Sequence, residues 1–202
     1  MSESNQANPS MNSSVIPPAK PRLREKSRLM SASEIERTLV RLAHEIVEKN
    51  DGCANLGLIG IKRRGVPLAE RLTKLIGNIE KCSVETGVLD INLYRDDLTT
   101  SEPRPTVVPG EIGFDVTGRD IVLIDDVLYT GRTIRAALDA LFGHGRPKSV
   151  QLLVLIDRGH RELPIQATFT GRMIPTSRRE IIEVMLNEID GQEQVLLAEH
   201  AD

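Results

Sequence analysis

The sequence predicts an α/β protein built on a parallel sheet with helices on both faces, and three observations carry that reading. Residues 55–61, 120–124 and 150–156 are apolar runs too continuous for half-exposed strands, as in parallel strands buried on both faces. They alternate with segments of helical periodicity, the order that builds a parallel sheet. One run ends in two adjacent carboxylates, Asp125 and Asp126, and such sheets bind ligands at the carboxyl ends of their strands.

The first 22 residues are rich in Ser, Asn and Pro, too polar to offset the entropy of ordering, so residues 1–29 are expected to be a disordered extension and residues 30–202 one folded domain. The basic run Lys20, Arg22, Arg24, Lys26 and Arg28 is either a nucleic-acid arm or a solubilising tail. A first helix is expected from Ser33 to about Lys49. Ser33 and Glu36 have capping-box spacing, and Ile35, Leu39, Leu42, Ile46 and Val47 share one face. A helix over residues 65–76 follows the strand at 55–61, with Pro67 tolerated in its first turn. Residues 83–94 are strand-like. Residues 95–118, with three prolines and three glycines, read as a long polar mobile loop or extended hairpin. After the strand at 120–124 comes a helix over 130–142, stopped at Gly143 or Gly145. Residues 180–186 and 194–197 around Asp190-Gly191 form a final hairpin.

Composition narrows the function. The 26 basic and 29 acidic side chains leave a formal charge of −3, which argues against a basic coat for nucleic acid, although a local patch remains open. With no Trp, two Tyr and three Phe there is no aromatic platform for stacking single-stranded bases. Cys53 and Cys82 form neither a CxxC pair nor a zinc spacing, so no disulfide framework is expected and a reducing cytoplasm suits the chain. No apolar run reaches about 18 residues and no secretory signal opens the chain, so no membrane partner is expected.

The chemistry concentrates in Ile121-Val-Leu-Ile-Asp-Asp-Val-Leu-Tyr-Thr-Gly-Arg-Thr133. A turn with Thr130, Gly131 and Thr133 opens directly into a helix, where unpaired N–H groups and the helix dipole favour an anion. Paired acids beside a phosphate cradle call for hydroxyl donors, so the string suits a sugar phosphate, its ribose diol on Asp125 and Asp126. Competing motifs fail. Gly60 and Gly65 have P-loop spacing, but Val66-Pro67 replaces the required Lys-Ser/Thr. His44-Glu45 lacks the second His of a zinc helix, and Gly143-His-Gly145 ends a helix instead of opening one.

This string resembles the phosphoribosyl-pyrophosphate (PRPP) signature of type I phosphoribosyltransferases, and most closely their branch that couples uracil phosphoribosyltransferase activity to attenuation of pyrimidine operons. Gly60-Ile-Lys-Arg-Arg-Gly65, Asp90-Ile-Asn-Leu-Tyr-Arg-Asp-Asp-Leu98, Leu155-Ile-Asp-Arg-Gly-His-Arg-Glu-Leu-Pro-Ile165 and Ile174-Pro-Thr-Ser177 extend the resemblance to the C-terminus. It implies a phosphoribosyltransferase core with a flexible hairpin lid over 95–118 and a small hood. It implies that Asp125, Asp126, Val127, Leu128, Tyr129, Thr130, Gly131, Arg132 and Thr133 bind the ribose and 5′-phosphate of PRPP, with Asp125, Asp126 and the lid's Arg95 catalytic. It places Lys62, Arg63, Arg64 and Gly65 in a pyrophosphate loop that often carries a non-proline cis peptide. The base is expected against Ile156, Asp157, Arg158 and Gly159, with Mg²⁺ arriving on PRPP instead of in a protein cage.

The same resemblance implies that UMP or UTP promotes binding to operon leader RNA by Arg41, His44, Lys49, His160 and Arg172, across a homodimer or larger homo-oligomer. Two positions depart from that pattern, Val40 for an expected Thr and Gln166 for an expected Arg. The choice of uracil over a purine rests on the resemblance alone, leaving a purine-type or enzyme-only protein as the alternative.

Overall fold

The computed structural model describes residues 23–91 and 112–200. A parallel sheet has the strand order β3-β2-β4-β5-β6, where β2 is Leu56–Ile61, β3 Glu85–Leu89, β4 Asp120–Leu128, β5 Ser149–Asp157 and β6 Phe169–Met173. The helices are α1 (Ala32–Lys49), α2 (Gly65–Glu80) and α3 (Arg132–Phe142). Side chains alternate across the central strands and build two cores. Leu58, Val122, Ile124, Leu153 and Leu155 meet Leu39, Leu42 and Ile46 of α1 and Leu68, Leu72 and Ile76 of α2 on one face. Ile59, Leu123, Leu152 and Val154 meet Ile134, Ala137 and Leu141 of α3 on the other. Burial on both faces explains the unbroken apolar runs.

A second, antiparallel sheet of order β1-β8-β7 forms the hood, with β1 Leu23–Ser31, β7 Glu180–Met185 and β8 Gln194–His200. The expected hairpin is present, and a four-residue helix α4 (Asn187–Asp190) lies between its strands. β1 corrects the expected domain boundary: residues 23–29 are a strand, not disordered chain. Leu23 pairs with His200 and Met30 with Val195, while Arg24 pairs with Glu199 and Lys26 with Glu180 at 2.7 Å. Residues 1–22 lie outside the described part.

Other boundaries also move. The α1 cap is Ser31 with Glu34, not Ser33 with Glu36: Ser31 donates its N–H (2.9 Å) and its hydroxyl (2.8 Å) to Glu34 Oε2. α2 runs four residues past the expected end at Ile76, to Glu80. β4 continues through Leu128, so Asp125 and Asp126 belong to the strand, and α3 starts at Arg132. β3 spans five residues and stops at Leu89. β6 was not foreseen, because Thr170-Gly171-Arg172 has neither alternation nor an apolar run. Of the long loop, residues 112–118 are anchored, with Ile112 and Val116 buried on the α3 face.

A disulfide joins Cys53 to Cys82, with Cα atoms 6.8 Å apart, which overturns the expectation of unpaired thiols. The two cysteines lie 29 residues apart in the turns after α1 and α2, and packing of those helices side by side with their C-terminal ends together, not spacing in the chain, brings them together.

Candidate active site

β2 continues through α2 to β3 on one side, whereas β5 and β6 lie on the other side of β4. Chain direction therefore switches between β2 and β4, the place where open parallel sheets leave a crevice for ligands. Gly60 is opposite Ile124, and Leu128 is opposite Asp157, so the segments starting at Lys62, Asp125 and Asp157 lie side by side. Gly65 has no room for a side chain: a Cβ there would lie 2.2 Å from the Ile124 carbonyl oxygen and 3.4 Å from Asp125 Cα. Only glycine lets the first loop lie this close to the acids.

In the first loop the Lys62–Arg63 peptide is cis, as the resemblance implies. Lys62 Nζ contacts Asp90 Oδ2 at 3.1 Å, and Arg63 is exposed. Arg64 points elsewhere: its Nε and Nη2 donate to the two carboxylate oxygens of Asp190 in α4, at 3.2 and 2.9 Å. With Arg71, which pairs with Glu188 and Glu193, it ties the hood to α2.

The two acids differ in environment. Asp125 is buried and Asp126 half-buried; the Asp126 N–H donates to Asp125 Oδ1 at 2.9 Å. Burial, reinforced by the neighbouring Asp126 carboxylate, pushes the Asp125 carboxyl well above the usual range. After Tyr129 the chain turns at Thr130 and Gly131. Gly131 takes φ 92°, a left-handed conformation suited to glycine, and caps α3. Thr130 Oγ1 accepts the Arg132 N–H at 3.3 Å, and the Arg132 side chain pairs with Glu162 at 2.7 Å.

The third loop is organised by two arginines. The Arg158 side chain turns toward the hood: it stacks 4.0 Å from the Tyr129 ring centroid and donates to Thr176 Oγ1 and to the Ser177 and Glu180 carbonyls, at 3.1, 3.1 and 2.7 Å. Asp157, buried, accepts the Gly159 N–H at 3.0 Å and pairs with Arg161. His160 sets its ring against the Thr176 carbonyl and edge-on to Tyr129. A cavity of about 720 Å³ opens beside this loop, lined among others by Asp157, Gly159, Ile165, Met173 and Thr176. The sequence reading passed over Arg161; its spacing of four from Asp157, on a loop after a buried strand, was the available signal.

The expected RNA residues divide. His44 and Lys49 are exposed on α1. Arg41 donates to the Thr170 and Gly171 carbonyls of β6, at 3.2 and 2.7 Å, and so covers an edge strand. Arg172 donates to the Leu29 carbonyl (2.7 Å) and Glu34 (2.8 Å). Both departures are on the surface, with Val40 37% exposed and Gln166 also exposed. Arg95 falls outside the described residues.

Known proteins match this arrangement. Residues 27–187 fit the phosphoribosyl transferase domain family. A bifunctional protein PyrR of Pelotomaculum thermopropionicum is 57% identical over 179 residues, covering 89% of this chain and 99% of its own. Its counterpart in Thermus aquaticus is 56% identical over 177 residues, 88% of this chain and 98% of its own. A hypoxanthine phosphoribosyltransferase structure from Staphylococcus aureus shares the fold at 20% identity, with a TM-score of 0.63 over 85% of this chain and 92% of that one. A domain match across most of the chain, and relatives more than half identical over nearly their full length, place this chain in the phosphoribosyl transferase domain family, among the bifunctional PyrR proteins.

Proposed function

We propose that this chain transfers the phosphoribosyl group of PRPP to uracil, giving UMP and diphosphate, and that uridine nucleotides in the same crevice promote its binding to pyrimidine-operon leader RNA. The observation that carries this reading is the convergence of three loops at the ends of β2, β4 and β5: one with exposed cations, one with paired acids and a phosphate turn, one presenting backbone.

Breaking the C1–pyrophosphate bond develops positive charge on the ribose and negative charge on the leaving group. Catalysis then needs orientation and electrostatics more than a nucleophile. Asp125 and Asp126 hold the ribose hydroxyls beside the developing cation. Thr130, Gly131, Arg132 and Thr133 hold the 5′-phosphate at the α3 N-terminus. Lys62 and Arg63 face the departing pyrophosphate, while Arg64 sets the loop through Asp190. Backbone groups of residues 156–159 read the carbonyls and N–H of uracil.

Mg²⁺ would arrive on PRPP, held by its oxygens and by water instead of a protein cage. That ion would neutralise the pyrophosphate. Among the described residues no helix is long and apolar enough to cross a membrane. For RNA, exposed Arg41, His44 and Lys49 of α1 form the face with half-buried His160 and Arg172, completed by a second copy of the chain. Arg41 and Arg172 also hold backbone carbonyls of β6 and β1.

The test is UMP synthesis from PRPP, Mg²⁺ and labelled uracil, with hypoxanthine and guanine in parallel, then leader-RNA binding with and without UMP. Uracil turnover and UMP-dependent RNA binding are expected. Turnover of a purine alone would refute the enzyme assignment, and RNA binding indifferent to UMP would refute the regulatory one.

A further inference from the structure

We infer that Arg161 is a positioning residue that holds the base-binding loop in register with the 5′-phosphate turn. The inference rests on the functional reading above. The guanidinium lies among acceptors from three segments. It donates to the Tyr129 carbonyl (2.9 Å) at the start of the phosphate turn, to the Gly159 carbonyl (3.1 Å) in the base loop, and to the Ile165 carbonyl (2.9 Å) beyond it. Its fourth partner is the carboxylate of Asp157, buried at the end of β5.

Around it the two loops are already laced together. The Glu162 and Leu163 N–H groups donate to the Thr130 carbonyl at 3.0 and 3.2 Å. Ile165 packs so near Gly131 that a Cβ there would lie 3.3 Å from its Cδ1. A planar fork with five N–H groups can serve acceptors on several sides at once, whereas a lysine ammonium is a compact point charge with three donors. The bonds of Arg161 all go to protein groups, so its effect on substrate is indirect, through the spacing of the loops.

That spacing matters to a ligand that spans both loops. UMP places a base on one and a phosphate on the other, and gains from both only while their separation is fixed. Ribose 5-phosphate uses the phosphate turn alone. If the register is lost, UMP should suffer and ribose 5-phosphate should not.

The experiment titrates both ligands into the full chain by calorimetry, for wild type, Arg161→Met and Arg161→Lys, with a thermal melt of each. We expect UMP affinity to fall at least tenfold in both variants, ribose 5-phosphate affinity to stay within threefold, and Arg161→Lys to melt within a few degrees of wild type. Equal losses for the two ligands, or unchanged UMP affinity, would overturn the inference. Should Arg161→Met fail to fold, Arg161→Lys carries the same comparison. A wild-type chain that ignores UMP would overturn the functional reading, and the inference with it; binding by wild type with no selective loss in the variants defeats the inference alone.

Discussion

Replacing Asp125 by Asn should make the ligand-free protein more stable and the enzyme worse. The carboxyl is 6% exposed at the end of a strand, beside a second acid. Its folded pKa is raised, by burial first and by Asp126 second. For an acid the sign follows: below the unfolded value of 3.8 both states are protonated and nothing is lost. As pH rises past it, the unfolded chain sheds the proton more readily, and stability falls until the folded form ionises too. Asparagine keeps the shape and removes this loss. Asp125 has a hydrogen-bond partner in the Asp126 N–H, so the cost is that of desolvating its charge, about 1–3 kcal/mol. At about 2–4 °C per kcal/mol for a chain this long, the variant should melt roughly 2–12 °C above wild type at pH 8, with the gap closing toward pH 4. Turnover should meanwhile drop roughly 10- to 150-fold, from ~1.5–3 kcal/mol per charged hydrogen bond to the ribose. Scanning fluorimetry from pH 4 to 8 and the uracil assay give both readouts. A variant that melts below wild type at pH 8, a gap independent of pH, or turnover within twofold of wild type would refute the reasoning.

Reducing the Cys53–Cys82 disulfide releases a 29-residue separation and, on chain-entropy grounds, about 3.6 kcal/mol. The midpoint should fall roughly 7–14 °C in excess dithiothreitol, and an unchanged melt would count against the bond's contribution. Gly65→Ala puts a Cβ 2.2 Å from the Ile124 carbonyl oxygen. It should cost at least about 1–3 kcal/mol and weaken PRPP binding by displacing the first loop; a variant with the wild-type midpoint would show that the contact relaxes freely. Glu34 is held down to about 2 by the Ser31 N–H first and Arg172 second. Its contribution is present above pH 4.5 and lost as pH falls toward 2, so wild type should out-melt Glu34→Gln at pH 6 but not at pH 2. A difference that persists at pH 2 would exclude ionisation as its source.

The features of the candidate site that the structure places where the chain suggested are those whose signal is local. Asp125 and Asp126 sit at the end of an apolar run, and Thr130-Gly131 opens a helix; both patterns are complete within about a dozen residues. The helix cap shows where local signals become ambiguous. Ser31 with Glu34 and Ser33 with Glu36 have the same spacing. The first frame wins because Arg172, 138 residues away, draws Glu34 to the helix start. The fate of the arginines was less legible still. In the string Arg64 belongs with the pyrophosphate-loop cations and Arg158 with the base-binding segment, yet Asp190 and the Thr176–Glu180 segment claim their side chains.

By itself, then, the sequence determined the parallel α/β core, the acid pair at a strand end, the glycine turn into α3 and the glycine-bounded first loop, because hydrophobic periodicity and turn chemistry act over neighbouring residues. Only the tertiary structure decided that residues 23–29 are a hood strand, that Cys53 meets Cys82, and which guanidiniums face the crevice. Those outcomes depend on partners 29 to 175 residues distant, for which a charged or sulfur-bearing side chain carries no address until packing supplies one.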